Sequence, residues 1–177
     1  MKKTVVYFGI LITFFIFYFL QTNFFSWFTI AGAKPNIFVI LILFVGLFAG
    51  SMPGASVGAI CGLLLDLLVG RDIGTTGILL ALVGFIGGYF DRNFSKDSKI
   101  TIILMVIGTT FVYELLRYII NIIFLHLNVE MLVFFKILII ELIYQFLLTI
   151  ILYPIMKNVG YFIERIYKGN NILTRYF

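Results

Sequence analysis

The chain is poor in the residues that most protein chemistry uses. Its 177 residues include one histidine, one cysteine and three prolines, and only 12% are charged. His126 and Cys61 each stand alone, so a multi-histidine or thiolate metal centre and an internal disulfide are both excluded. Gly50-Ser51 lacks the Gly-x-Ser-Gly setting of an intramembrane serine nucleophile. No phosphate loop or dinucleotide fingerprint occurs, and Gly84-Phe85-Ile86-Gly87-Gly88 falls inside an apolar run. These absences point to a protein with no catalytic residues, no cofactor and no metal site.

What the chain has is apolar surface. Hydrophobic residues make up 62% of it, and the mean hydropathy is +1.13. A domain of that composition would not stay dissolved in water, so the expected class is an all-α integral membrane protein. The net charge of +5 comes from a few unevenly placed lysines and arginines. Orientation in a bilayer accounts for them without invoking nucleic acid.

The apolar runs predict six transmembrane helices, at residues 4–28, 36–49, 54–69, 73–90, 100–125 and 131–156. Gln21-Thr22-Asn23 is expected to interrupt the first, with Phe24, Phe25, Trp27 and Phe28 at a headgroup boundary. Ala31-Gly32-Ala33 has the small residues of a signal-peptide cleavage site. The preceding apolar stretch is too long for one, so it is read as a span. Pro35 suits a helix start. Residues 36–65 are uncharged, and as one helix they would be about 45 Å long. The run Gly50-Ser51-Met52-Pro53-Gly54 is therefore taken as a turn that divides them. Residues 157–177 read as a basic amphipathic cytoplasmic tail on the membrane surface.

With both termini cytoplasmic, nine lysines and arginines fall inside, three outside, and Arg117 lies within a span. Five spans give eight against four and put Lys2-Lys3 outside. Six spans obey the positive-inside rule better.

Two sets of residues stand out. Gly46, Gly50, Gly54, Gly58 and Gly62 recur every fourth residue, and Gly84, Gly87 and Gly88 give the fourth span a similar face. Small residues at this spacing let helix backbones approach closely in lipid, either within the bundle or against a partner helix. The second set is polar: Asp66, Glu114, Arg117, Glu141 and Gln145 lie inside predicted spans, where such groups are costly and normally face protein or a wet cavity. Glu114, Arg117, Tyr118 and Asn121 share a helix face. Pairing Leu125 with Leu132 across the hairpin puts Glu141 level with Leu116. That predicts an Arg117–Glu141 bridge with Glu114 as second acceptor, a latch that holds helix register. Three carboxylates against one arginine leave surplus negative charge, so one acid is protonated or meets a partner's cation. A proton or substrate pathway is the competing use of the same residues.

Lys34-Pro35-Asn36, Gly46-Leu47-Phe48-Ala49-Gly50, Gly54-Ala55-x-x-Gly58 and Gly62-Leu63-Leu64-Leu65-Asp66-Leu67 together resemble the MreD family of bacterial rod shape-determining membrane proteins. Gly70, Gly74 and Gly87-Gly88-Tyr89-Phe90 continue the likeness, whose specific part covers residues 34–90. The resemblance implies a non-enzymatic scaffold of the elongasome that binds MreC. It would act with MreB, RodA and a class B penicillin-binding transpeptidase in lateral peptidoglycan synthesis at the cell membrane. It also implies a fold resembling the substrate-binding subunits of energy-coupling-factor vitamin transporters. Such a subunit is the alternative function, with a cavity lined by Asp66, Glu114 or Asn121. Its usual Ala-x-x-x-Ala docking motif has no counterpart in residues 6–20. The basic inner surface would favour anionic lipids.

Overall fold

The computed structural model describes residues 2–27, 29–30, 32–70, 74–93, 98–125 and 130–167. Six helices account for nearly all of them. Helix α1 is Lys2–Phe19 and runs on through a π turn, Leu20–Phe24, into Phe25–Trp27. The others are α2 Ile37–Ala49, α3 Ser51–Val69, α4 Thr75–Asn93, α5 Lys99–Leu125 and α6 Met131–Tyr167. The expected charged loop after the fourth span and the α5–α6 turn lie mostly outside the described residues.

The polar triplet Gln21-Thr22-Asn23 does not end α1. It widens one turn into a π turn, and its side chains bond back to nearby carbonyls: Thr22 Oγ1 donates to Tyr18 at 2.7 Å and Asn23 Nδ2 to Phe19 at 3.2 Å. The carbonyls loosened by the wider turn are thereby satisfied.

Helix α2 is the axis of the molecule. All 13 of its residues are buried, and at about 20 Å it is too short to cross a ~30 Å apolar layer. A helix enclosed by protein on all sides need not match the bilayer. It packs on α3, α4, α5 and α6, and Phe38 meets Phe14 of α1 at 5.4 Å.

The turn between α2 and α3 is shorter than expected. Only Gly50 leaves the helical conformation, at φ 104°, a region open to glycine and strained for other residues. Ser51, Met52 and Pro53 already form the first turn of α3. Pro53 fits there because the first amides of a helix have no intrahelical acceptor. The expected five-residue break therefore becomes a one-residue corner, and α3 begins at 51 rather than 54.

Helices α5 and α6 form the other flank. Tyr118 stacks on Phe134 at 4.2 Å. Helix α6 passes through Pro154 without ending and continues well beyond the expected limit at 156. Residues 157–167 are not a separate surface tail. Gly160 lies against the ring of Phe48, Tyr161 meets that ring edge-on at 5.4 Å, and Ile163 and Glu164 are buried. Gly160 and Tyr161 thus pack this part of α6 against Phe48, near the end of α2. Residues 168–177, the rest of the expected tail, lie outside the described residues.

Among the described residues, three helices are long and apolar enough to cross a membrane: Ser51–Val69, Lys99–Ile123 and Met131–Arg165. Leu11–Trp27, Ile37–Ala49 and Thr75–Asp91 are shorter apolar helices.

Candidate functional site

The first candidate feature is a seam where backbone meets backbone. Gly46 of α2, Gly54 of α3 and Gly84 of α4 converge. A Cβ added at Gly54 would stand 2.5 Å from Gly46 Cα and 2.6 Å from the Gly84 carbonyl oxygen. One added at Gly84 would collide with the Gly54 carbonyl, and one at Gly88 with the backbone of Ser51. The seam extends down α3 and α4: Gly58 lies on the Leu80 carbonyl, and Gly62 sits where a Cβ would be 2.5 Å from Gly77 Cα. Of the glycines singled out by sequence, Gly46, Gly54, Gly58, Gly62, Gly84 and Gly88 thus make close interhelical contacts. Gly50 has open space where a Cβ would stand and serves as the corner, its carbonyl carbon facing Gly88. Of the glycines in the seam, sequence reasoning passed over Gly77. Gly87 lies on the Leu43 carbonyl, where an added Cβ would be 2.5 Å away.

The second feature is a set of polar side chains that hold helix ends. Asp66, buried in α3, accepts hydrogen bonds from the amides of Gly74 (2.9 Å), Thr76 (3.1 Å) and Gly77 (3.4 Å). It caps α4 from a neighbouring helix and satisfies donors that the first turn leaves open. Gly70, in the left-handed conformation at φ 68°, ends α3 by donating to the Asp66 carbonyl at 2.9 Å.

The entry to buried α2 is held from three sides. Gln21 of α1 donates to the Pro35 carbonyl at 2.7 Å and accepts from the Ile37 amide at 3.1 Å. Gln145 of α6, fully buried, donates to the Asn36 carbonyl at 2.8 Å. Tyr113 of α5 hydrogen-bonds the Asn36 side chain. An interior helix cannot turn its open amides to water, so other helices supply partners. Gln21 and Tyr113 were missed by sequence reasoning. Gln21 read as a span breaker, and a tyrosine in an apolar run gives no signal of its own.

The third feature is the charge cluster on α5 and α6. Arg117 lies 4.0 Å from Glu114, with the guanidinium side chain 51% exposed and that of Glu114 11%. Glu141 reaches the Glu114 carboxyl group and acts on Arg117 through space, as does Asp66. The expected Arg117–Glu141 bridge is replaced by Arg117–Glu114, and Glu141 meets Glu114 instead. Thr109 Oγ1, Thr110 Oγ1, Glu114 Oε1, Glu141 Oε2 and Gln145 Oε1 are buried with no hydrogen-bond partner among the described residues. Among the described residues no group of three or more His, Cys, Asp or Glu side chains could hold a metal ion.

A helical bundle locked by backbone contacts, with helices long and apolar enough for the bilayer, has the build of an integral membrane protein. A model of a family described as rod shape-determining protein MreD matches residues 2–161, and the chain belongs to the MreD family. Comparisons with curated proteins and with solved structures find no match. Family membership places the protein among membrane proteins with a role in rod shape determination.

Proposed function

We propose that this protein is a non-enzymatic scaffold of the bacterial elongasome. It binds MreC directly and supports lateral peptidoglycan synthesis together with MreB, RodA and a class B penicillin-binding transpeptidase. Its chain crosses the cell membrane six times with both termini cytoplasmic, in a fold resembling the substrate-binding subunits of energy-coupling-factor transporters.

The observation that carries the reading is the family match over residues 2–161. The physical construction supports action by contact. The seam of α2, α3 and α4 is a rigid frame, because glycine backbones in contact have no rotamers to rearrange. Asp66 and Gln145 are committed to backbone groups. Helix α6, the longest, leaves most of its apolar surface outward, and half-exposed Arg117 stands beside Glu114 at its edge. An outward apolar helix with a few polar groups suits a partner's transmembrane helix, where hydrogen bonds across the interface add to close packing.

The test is co-purification of the full chain from native membranes after mild cross-linking. MreC is expected in near-equal amount, and membranes that yield the chain without MreC contradict the reading. Labelling of single cysteines in a Cys61→Ser background tests the topology. Ser95→Cys should react from the cytoplasm and Asn128→Cys from outside, and the reverse pattern contradicts six crossings with an inner N-terminus.

A further inference from the structure

At the end of the hairpin away from the charge cluster, α5 and α6 enclose a cavity of about 330 Å³ lined by Lys99, Ile103, Ile150, Tyr153, Pro154, Lys157 and Asn158. None of these residues belongs to the features described above. We propose that this cavity binds the phosphate-bearing headgroup of an anionic phospholipid. The proposal is independent of the scaffold reading.

Four observations carry it. First, the lining is graded. Ile103, Ile150 and Pro154 give it an apolar side, and Lys99, Tyr153, Lys157 and Asn158 a polar one. A lipid has the same division between its chains and its headgroup. Second, two cations converge on one ring. Lys99 Nζ lies 5.9 Å and Lys157 Nζ 5.7 Å from the centroid of Tyr153, and Lys157 Nζ is also 5.7 Å from that of Tyr161. Rings hold ammonium groups in place, and two like charges over one ring make a seat for an anion. Third, the ring between the lysines is fixed. Tyr153 is buried in the core, and Lys99 opens α5 while Lys157 lies on the continuous α6. Fourth, Pro154 has no amide to give to the carbonyl of Ile150, four residues earlier on the same helix. Both residues line the cavity, so an acceptor stands beside the lysines. Lysines for a phosphate and a carbonyl for a hydroxyl suit a glycerol-phosphate headgroup. The lipid is the source of the phosphate because Ile150, Ile151 and Ile155 beside the cavity face outward with their apolar surface exposed.

The experiment is native mass spectrometry of the purified full chain in detergent. Dioleoyl-phosphatidylglycerol, dioleoyl-phosphatidylcholine and millimolar inorganic phosphate are the probes. The wild-type chain should retain one phosphatidylglycerol in preference to phosphatidylcholine by roughly 10-fold or more, as expected for two lysines near one phosphate. Inorganic phosphate should not displace it. The Lys99→Gln/Lys157→Gln variant should lose the preference, and Lys99→Arg/Lys157→Arg should keep it. Lys136→Gln, which removes a cation near the opposite end of α6, should leave it unchanged. Ile103→Trp fills the cavity without touching a charge and should also lower retention. Three results would overturn the proposal. The glutamine variant could retain phosphatidylglycerol as wild type does, or Ile103→Trp could leave retention untouched. Displacement of the lipid by inorganic phosphate would assign the seat to the free ion.

Discussion

The two flanks of this molecule are held together by opposite means. Between α2, α3 and α4 the closest contacts are backbone on backbone: glycines bring main chain onto main chain from Gly46 and Gly84 down to Gly62 and Gly77. Between α5 and α6, and from them to α2, side chains do the joining: the Tyr118–Phe134 stack, the Glu114–Glu141 contact, and Gln145 on the Asn36 carbonyl. In lipid there is little hydrophobic gain from helix association, so each flank must use something else. Close packing serves the first and hydrogen bonding the second. The backbone seam has no adjustable parts and cannot absorb added volume. The polar flank keeps buried polar atoms without hydrogen-bond partners among the described residues and a half-exposed guanidinium.

The contrast yields a ranked set of outcomes. Gly84→Leu should have the largest effect. Its new atoms meet the Gly54 backbone rather than a movable side chain, so the cost should reach or exceed the ~1–3 kcal/mol typical of overpacking. Little monodisperse protein is expected on size-exclusion chromatography, and wild-type yield with an unchanged thermal midpoint would show that the seam can open. Asp66→Ala comes next, since it leaves the first amides of α4 without their acceptor. A loss of about 1–3 kcal/mol is expected for the buried donors, read as a lower unfolding temperature in lipid nanodiscs. Gln145→Leu should cost less, about 1 kcal/mol, because it removes one neutral hydrogen bond to the Asn36 carbonyl and replaces it with apolar volume. If Gln145→Leu proves more damaging than Gly84→Leu, the polar flank rather than the seam is the frame.

Much of the first flank was legible in the sequence and much of the second was not. A four-residue glycine repeat maps onto a helix face whatever that face meets, so Gly54, Gly58 and Gly62 could be assigned to close packing before the partner helix was known. Pro53 misled, because its effect depends on position: three residues into a helix it costs nothing, while in the interior it breaks the ladder. Pro154 does sit in an interior, yet α6 continues through it. For the polar residues, sequence identified which groups were costly but not what they would meet. Asp66 was grouped with the other charges, but its partners are the amides of Gly74, Thr76 and Gly77, and backbone donors carry no residue signature. The Arg117–Glu141 pairing depended on a hairpin register inferred from apolar run lengths, and an error of a few residues moves a bridge by a helical turn. Gln21 was unreadable for a third reason: its role exists only because α2 is an interior helix, and 13 apolar residues do not announce that they will be enclosed on every side.

The central claim is that the glycines of α2, α3 and α4 are there for backbone contact and not for flexibility. The most direct test compares two alanine substitutions in the same assay. Gly58 lies on the Leu80 backbone, whereas Gly108 of α5 has nothing within 4 Å of where a Cβ would stand. Thermal unfolding of Gly58→Ala should show a lower midpoint than wild type. That of Gly108→Ala should be equal or higher, since alanine is favoured over glycine in an open helical position by about 0.4–1 kcal/mol. Opposite signs support the account, and a Gly58→Ala protein as stable as the Gly108→Ala one would contradict it.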